Sequence, residues 1–135
     1  MTPFDQPDRP IAIVTGAATG IGAACTRALA QAGFRVGIHY RRSAAAAGAL
    51  MAELGEGFLL NGDLSRAEDV DGMVEQIRDR AGRVDVLVNN AGLSLNADIH
   101  AMRLELFDAQ RALTRGTWYL TKRILRQFMI RRNRG

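Results

Sequence analysis

The chain has 135 residues, of which 47% are hydrophobic, and this is enough apolar material for one domain with one core. Its 18 basic and 14 acidic residues leave a net charge of +4, and the basic excess lies near the end. Cys25 is the only cysteine, and His39 and His100 stand outside any ligand-spaced motif, so the sequence excludes an intrachain disulfide and predicts no metal site.

The chain opens with a polar, proline-containing segment. Residues 1–9 predict a disordered lead-in to a single domain that covers residues 10–135. The segment lacks the apolar stretch of a secretory signal peptide, and nowhere does the sequence hold 18 consecutive apolar residues. We therefore expect a cytoplasmic protein without a membrane partner.

Short apolar runs alternate with helical patterns over the first 88 residues. Four apolar runs predict strands, at residues 11–14, 34–40, 58–61 and 84–88. The segments between them predict helices, at residues 21–32, 43–54 and 66–81. This alternation of short strands and longer helices indicates an α/β fold with a parallel sheet and right-handed crossovers.

Local capping signals support two of these helices. Ser43 is available as the N-cap of the second helix. Ser65 is predicted to cap the third helix, with Glu68 three residues later completing a capping box. Both signals place the helix start directly after a strand and a short loop.

The last third of the chain predicts helix. Residues 104–113 and 116–132 have helical patterns, either as two helices or as one kinked helix. In the second stretch Leu120, Ile124 and Phe128 recur every four residues, which is typical of an amphipathic helix with one broad apolar face.

The end of the chain is strongly basic. Residues 109–135 hold eight basic residues and no acid, a pattern that could attract phosphate polymers or a membrane surface. No aromatic interleaving or groove-reading motif accompanies these charges. We therefore favour a solvated helix face and expect no nucleic-acid partner.

A glycine-rich turn follows the first strand and leads into the first helix. Its sequence is Thr15-Gly-Ala-Ala-Thr-Gly-Ile-Gly22. Gly16 permits a tight turn, Gly20 lets the backbone approach a pyrophosphate, and Gly22 lets the helix pack on the strand. The free N–H groups and the dipole of the helix then face the phosphates. The strand–turn–helix context favours a dinucleotide site over a simple turn.

The spacing Thr-Gly-x-x-x-Gly-Ile-Gly resembles the short-chain dehydrogenase/reductase family. Asn61-Gly-Asp-Leu64 after the third strand and Asn89-Asn-Ala-Gly92 after the fourth agree with that family's later motifs. The resemblance covers residues 10–135 and is greatest to the 3-oxoacyl-[acyl-carrier-protein] reductases. It implies a Rossmann-type, doubly wound parallel sheet with strand order 3-2-1-4, truncated after the fourth strand and the following helix.

The resemblance also implies which part of the cofactor each group of binding residues contacts. The pyrophosphate and its ribose would meet the glycine turn, at Gly16, Thr19, Gly20, Ile21 and Gly22. Adenine would contact Asp63 and Leu64. The nicotinamide-side ribose would be lined by Asn90, Ala91 and Gly92. Asn89 would instead tie the fourth strand to its neighbour.

The end of the second strand bears on the choice of cofactor. Relatives that prefer NAD(H) carry an acid there, which accepts a hydrogen bond from the ribose 2′-OH. This chain has Arg41 and Arg42 at that point and no acid. Two guanidinium groups can neutralise the charge of a 2′-phosphate and form bidentate hydrogen bonds with it, although they could also be ordinary surface arginines. We expect NADP(H) to be preferred over NAD(H).

The family's catalytic serine and Tyr-x-x-x-Lys pair have no counterpart in these 135 residues. Tyr119-Leu-Thr-Lys122 is one residue too short and lies in an earlier element, and Ser94 comes too early. Leu113 stands where the family has a proton-relay asparagine, with Thr114 beside it. We therefore assign no catalytic residue and expect no turnover by this chain alone.

Two functions remain open at this point. The first is the NADP(H)-binding part of a reductase that transfers hydride between NADPH and a carbonyl, such as a 3-oxoacyl thioester of fatty acid metabolism carried on an acyl carrier protein. The second is a non-catalytic dinucleotide-binding, regulatory or dimerising fragment. The full-length family forms homo-oligomers, and the fourth strand without a fifth is expected to be an exposed apolar edge.

Overall fold

The computed structural model describes residues 9–94 and 96–135. The elements in chain order are β1 (Ile11–Val14), α1 (Gly20–Gln31), β2 (Arg35–Tyr40), α2 (Ala44–Leu54), β3 (Phe58–Asn61), α3 (Ala67–Arg80), β4 (Val86–Val88) and α4 (Leu104–Ile124). A π-helical turn, Leu125–Met129, and a 3-10 turn, Ile130–Arg132, continue directly from α4. The last third is therefore one helix with an irregular end.

The four strands form one parallel sheet in the order β3-β2-β1-β4. The predicted Rossmann-type fold and strand order are confirmed. Ile13 at the centre of the sheet lies opposite Gly37 of β2 on one side and Leu87 of β4 on the other. A Cβ at Gly37 would lie 2.6 Å from Ile13 Cδ1, so the glycine leaves room for the isoleucine.

Two apolar cores cover the two faces of the sheet. One contains Ile13 and Leu60 of the strands together with Val74 of α3 and Leu120 of α4. The other contains Val14, Val36 and Ile38 of the strands together with side chains of α1 and α2. Strands buried on both faces explain why their sequences are continuous apolar runs.

The fourth strand is shorter than predicted. The sequence indicated residues 84–88, and the structure has Val86–Val88. The amide of Asp85 still donates to Ile11 O at 2.9 Å, but the amide of Ile11 donates to the Asp85 carboxylate, at 2.8 Å, and not to a backbone carbonyl. Within the described residues β4 pairs only with β1, and its three residues are half-buried at the edge of the sheet.

The predicted capping box at α3 is wrong. Arg66 occupies the N-cap position, and the helix begins at Ala67. Ser65 therefore lies one residue before the N-cap, and its hydroxyl donates to Asp63 Oδ1 at 2.6 Å. Ser43 does hold the N-cap position of α2, but its side chain makes no capping hydrogen bond.

The long helix α4 passes straight through Gly116. A Cβ at Gly116 would lie 1.6 Å from the carbonyl oxygen of Leu64, so this glycine lets α4 touch the loop that follows β3. Of the basic residues at the end of the chain, Arg123 pairs with Asp71 of α3 and Arg132 lies 3.5 Å from Asp85. The others are exposed, as expected for a solvated face.

Two predictions concern the beginning of the chain and the membrane. The lead-in predicted over residues 1–9 lies outside the described residues except for Arg9, which pairs with Glu56 and donates to Gly33 O at 3.0 Å. Across the described part of the chain, no helix is both long and apolar enough to cross a bilayer. The cytoplasmic location stays a prediction.

Candidate functional site

The carboxyl ends of the four strands open onto a cavity of about 600 Å³. From β1 the chain continues to β2 and β3 on one side of β1, whereas β4 lies on the other side of β1. The cavity therefore sits where the strand order reverses. Open α/β sheets bind ligands at this kind of crevice. The lining comes from the loops after all four strands and from α4.

The glycine turn has the backbone shape that the sequence requires. Gly16 and Gly20 have φ angles of 60° and 55°, a region that other residues rarely adopt. A Cβ at Gly22 would lie 2.0 Å from the carbonyl oxygen of Gly16, so only glycine fits behind the turn. The turn and the start of α1 can therefore lie close together.

The glycine turn leads directly into the first residues of α1, whose backbone amides lie at the start of the helix. The first intrahelical hydrogen bond runs from the Ala23 amide to Thr19 O, at 3.2 Å. The amides of Gly20, Ile21 and Gly22 precede that bond, and such N-terminal amides have no partner within their own helix. Together with the helix dipole they form an anion-binding concavity, and this geometry fits a diphosphate.

A group of hydrogen bonds joins the end of β1 to the end of β4. Thr15 Oγ1 accepts the amides of Asn90 and Ala91, each at 3.0 Å. In return, Asn90 Nδ2 donates to the carbonyl oxygens of Thr15 and Gly16, each at 3.0 Å. The two motifs therefore form one rigid unit.

These bonds correct one prediction. Asn89 was expected to tie the fourth strand to its neighbour, but its side-chain Nδ2 donates to Thr121 Oγ1 of α4, at 3.0 Å. Asn90 makes the connection to β1 instead. Both asparagines follow β4, which ends at Val88, and the sequence alone does not say which of the two side chains faces β1.

His39, at the end of β2, is a buried residue of the site that the sequence did not single out. Its Nδ1 accepts the amide of Gly16 at 3.0 Å, and its Nε2 donates to Gly62 O at 2.8 Å. Burial lowers the pKa of His39 below its ordinary value, partly offset by the bond to Gly62 and the charge of Asp63. The imidazole is therefore neutral near pH 7.

Asp63 lies after β3 in a polar cluster. Its Oδ1 accepts the hydroxyl and the amide of Ser65, and its own amide donates to Asp69 Oδ2 at 2.8 Å. The hydroxyl of Ser65 is the main cause that lowers the pKa of Asp63, and the charges of Arg41 and Arg66 act in the same direction. Arg41 Nε lies 3.5 Å from Asp63 Oδ2. The carboxylate is an ionised acceptor at the cavity wall.

Most of the predicted cofactor residues line this cavity. They are Gly16, Thr19, Ile21, Arg41, Asp63, Leu64, Asn90, Ala91 and Gly92. The other three lie beside it: Gly20 heads α1, Gly22 is buried behind the turn, and Arg42 is exposed next to Arg41. Their contacts with a cofactor stay predictions.

Several residues outside the predicted cofactor set also line the cavity. Ser65 and Leu93 extend the loops after β3 and β4, and α4 adds Ala109, Ala112 and Leu113. Leu113, which stands where the family has an asparagine, presents an apolar side chain to the cavity wall. No local pattern marks these α4 residues, because their place depends on how a distant helix docks.

The residues considered and rejected as catalytic lie in other surroundings. The Tyr119 hydroxyl donates to Asp71 Oδ1 at 2.7 Å, beside Arg123, in a polar cluster between α3 and α4. Ser94 is exposed and lies 3.4 Å from Asn96 Oδ1. In the described ranges, 9–94 and 96–135, no group of three or more acids, histidines or cysteines is placed to hold a metal ion.

Comparison with known proteins identifies the family. A family model for short chain dehydrogenases matches residues 10–135. The chain belongs to the short-chain dehydrogenase family. It is 34% identical over 129 residues to the 3-oxoacyl-[acyl-carrier-protein] reductase of Synechocystis sp., a match that covers 93% of this chain and 52% of that protein.

Solved structures agree with this assignment. A blue fluorescent protein from a metagenomic library, in complex with NADPH, superimposes with a TM-score of 0.84 at 29% identity, covering 91% of this chain and 53% of that one. The angucycline C-6 ketoreductase LanV with bound NADP has a TM-score of 0.81 at 30% identity, covering 88% and 51%. The chain of this short-chain dehydrogenase spans about half the length of these relatives.

Proposed function

We propose that this chain binds NADP(H), in preference to NAD(H), in the cavity at the carboxyl ends of its strands. The observation that carries the proposal is the glycine turn, where Gly16, Gly20 and Gly22 hold free helix amides beside a cavity of about 600 Å³. A side chain at Gly22 would close this turn. The amides of α1 bind the diphosphate, and the loops after β3 and β4 hold its two nucleosides.

The end of β2 supports a 2′-phosphate. Arg41 lines the cavity and Arg42 is exposed beside it, so both guanidinium groups can reach a phosphate at its mouth. Arg41 already lies 3.5 Å from Asp63 and is about half exposed, so a doubly charged phosphate can compete for it. The NADPH and NADP complexes of the similar structures agree with this preference.

We further propose that the chain is the cofactor-binding part of a reductase. Its family reaction is hydride transfer between NADPH and a carbonyl, such as a 3-oxoacyl thioester on an acyl carrier protein. The reductase from Synechocystis supports this substrate class by its name. The nicotinamide supplies the hydride, and this chain's residues bind and orient the cofactor.

The preference is tested by the double variant Arg41→Ala/Arg42→Ala. We expect the wild type to bind NADPH about tenfold more tightly than NADH, and the double variant to bind both about equally, since two charge-assisted contacts are lost. Fluorescence titration of each cofactor at fixed ionic strength measures both dissociation constants.

Arg78→Ala serves as the matched control, because Arg78 is an exposed arginine of α3 that pairs with Glu75. It should leave both dissociation constants unchanged. Equal wild-type affinities for NADPH and NADH, or an unchanged preference in the double variant, would contradict the proposed role of the two arginines.

A second candidate function is a non-catalytic dinucleotide-binding, regulatory or dimerising unit. Two observations favour it: Leu113 presents an apolar side chain at the cavity wall, and the Tyr119 hydroxyl is bound to Asp71. Adding a ketone to the NADPH-bound chain can exclude this second candidate. We expect no oxidation of NADPH by these 135 residues alone, and steady oxidation free of contaminating reductase would exclude the second candidate.

A further inference from the structure

His39 connects two loops of the site through its side chain. The residue is 3% exposed, and its ring lies between the Gly16 amide and the Gly62 carbonyl oxygen. Its backbone oxygen also accepts the Ala17 amide at 2.9 Å, a bond that any residue could make at this position. The two ring contacts are specific to the side chain.

The two contacts require one form of the imidazole. A backbone amide can only donate, so Nδ1 facing Gly16 must be unprotonated. A carbonyl oxygen can only accept, so Nε2 facing Gly62 must carry the proton. Only the neutral Nε2–H tautomer satisfies both, and an imidazolium would direct a second N–H at the Gly16 amide.

The same peptide segment is held from its other side by Asn90. Asn90 Nδ2 donates to Gly16 O at 3.0 Å, while His39 accepts from Gly16 N. Both polar groups of Gly16 are therefore occupied within the protein. Two side chains thus hold this residue at a φ angle of 60°, and the Ala17 amide is bonded to His39 O. The amides of Gly20, Ile21 and Gly22, at the start of α1, have no partner within their own helix.

We propose that His39 is a positioning residue, whose neutral Nε2–H tautomer holds the glycine turn in the shape that binds dinucleotide phosphates. Protonation of the ring breaks the bond to Gly16 and weakens cofactor binding. This inference rests on the proposed cofactor site and adds a pH-dependent control of its affinity.

The surroundings of the ring decide when it is protonated. Asp63, from the loop after β3, favours the charged form, and Arg41, directly after β2, lies in the same cavity. The glycine turn, the lining residues after β4 and those of α4 bring no ionisable side chain. Burial outweighs Asp63 and lowers the pKa of His39 below 6.5, so the bond to Gly16 persists at neutral pH and is lost in the acid range.

The test compares NADPH affinity from pH 7.5 down to pH 5 in two variants. His39→Asn keeps an acceptor for Gly16 but does not titrate, and His39→Leu removes the acceptor. We expect wild-type affinity to fall about tenfold more than that of His39→Asn across this range. At pH 7.5 His39→Asn should stay within about threefold of the wild type, and His39→Leu should bind about tenfold more weakly.

The comparison between variants removes the titration of the cofactor itself, because its 2′-phosphate ionises near pH 6 and affects every variant equally. His100→Asn is the matched control, since His100 is exposed on a loop, and it should reproduce the wild-type profile. Equal pH profiles for the wild type and His39→Asn, or an affinity that rises in acid, would overturn the inference while leaving the cofactor site intact.

A second readout needs no cofactor. The ¹⁵N shifts of the His39 ring report its tautomer, and the shift of the Gly16 amide proton should follow the titration of the ring. A Gly16 amide that does not respond overturns the positioning role, whatever the cofactor does. If the wild type fails to bind NADPH while the shift of the Gly16 amide proton still follows the titration of the ring, the proposed function and the affinity effect are overturned. The positioning of the turn by His39 then still stands.

Discussion

At the scale of single residues, the site depends on side chains and glycines that organise backbone. Thr15 and Asn90 have no assigned part in a reaction; their hydrogen bonds hold the segments after β1 and β4 together. Gly22 is needed because it has no side chain, since the carbonyl oxygen of Gly16 lies where a Cβ would be. Binding of an anion by backbone amides is therefore only as good as the packing behind them.

Gly22→Ala tests this packing. The added methyl would lie 2.0 Å from Gly16 O, so the turn must move, and we expect a loss of about 3 kcal/mol in unfolding free energy together with loss of NADPH binding. Urea unfolding and cofactor titration measure the two effects.

Gly48→Ala is the control for this substitution. Gly48 lies within α2 with no heavy atom within 4 Å of an added Cβ, so this variant should gain about 1 kcal/mol from helix propensity. NADPH binding of normal affinity by Gly22→Ala would contradict the role given to the turn.

At the scale of elements, α4 completes the cavity because one glycine lets it approach. Gly116 packs against the carbonyl of Leu64, which follows β3, and this contact brings Leu113 one turn earlier to the cavity wall. Gly116→Ala should push the helix away and cost about 3 kcal/mol of unfolding free energy. Thermal and urea unfolding measure this loss.

Gly72→Ala, in α3, is the matched helical substitution, and nothing lies within 4 Å of its added Cβ. This variant should be stabilised by about 1 kcal/mol. Similar unfolding free energies for Gly116→Ala and Gly72→Ala would show that α4 does not depend on close contact with the loop after β3.

The sequence predicted the elements better than it predicted how their ends are bonded. Local apolar runs marked the strands, whereas their order followed from the family resemblance, which three motifs carry. The Ser65 cap failed because α3 begins at Ala67, with Arg66 at the N-cap position, and β4 begins late where the Ile11 amide is bonded to the Asp85 carboxylate. His39 was missed because its role arises from packing between distant segments.

At the scale of the whole molecule, Asp85 joins three parts of the chain. Its carboxylate accepts the Ile11 amide at the start of β1, forms a bidentate pair with Arg83, and lies 3.5 Å from Arg132 after α4. Burial alone would raise the pKa of Asp85, but these contacts outweigh it and lower the pKa below its ordinary value. The ionised carboxylate therefore stabilises the folded state.

Asp85→Asn should cost roughly 2 kcal/mol of unfolding free energy at pH 7. A lowered folded-state pKa means that this contribution is present above the ordinary value of 3.8 and is lost as pH falls through the folded value. The difference between wild type and variant should thus be constant from pH 7 to 5 and shrink below about pH 4.

Urea unfolding at several pH values measures this difference. Asp79→Asn is the control, because Asp79 is exposed on α3 and its replacement should change little. A stability difference for Asp85→Asn that does not depend on pH would show that the charge of Asp85 is not what joins the three segments.

The bonds between Thr15 and Asn90 connect residues 75 positions apart in the chain. The first βαβ unit therefore cannot by itself complete the anion concavity, even though it contains every glycine of the turn. During synthesis, β4 must therefore be made before the proposed cofactor can bind. The proposed cofactor can consequently stabilise the chain only after β4 has paired with β1.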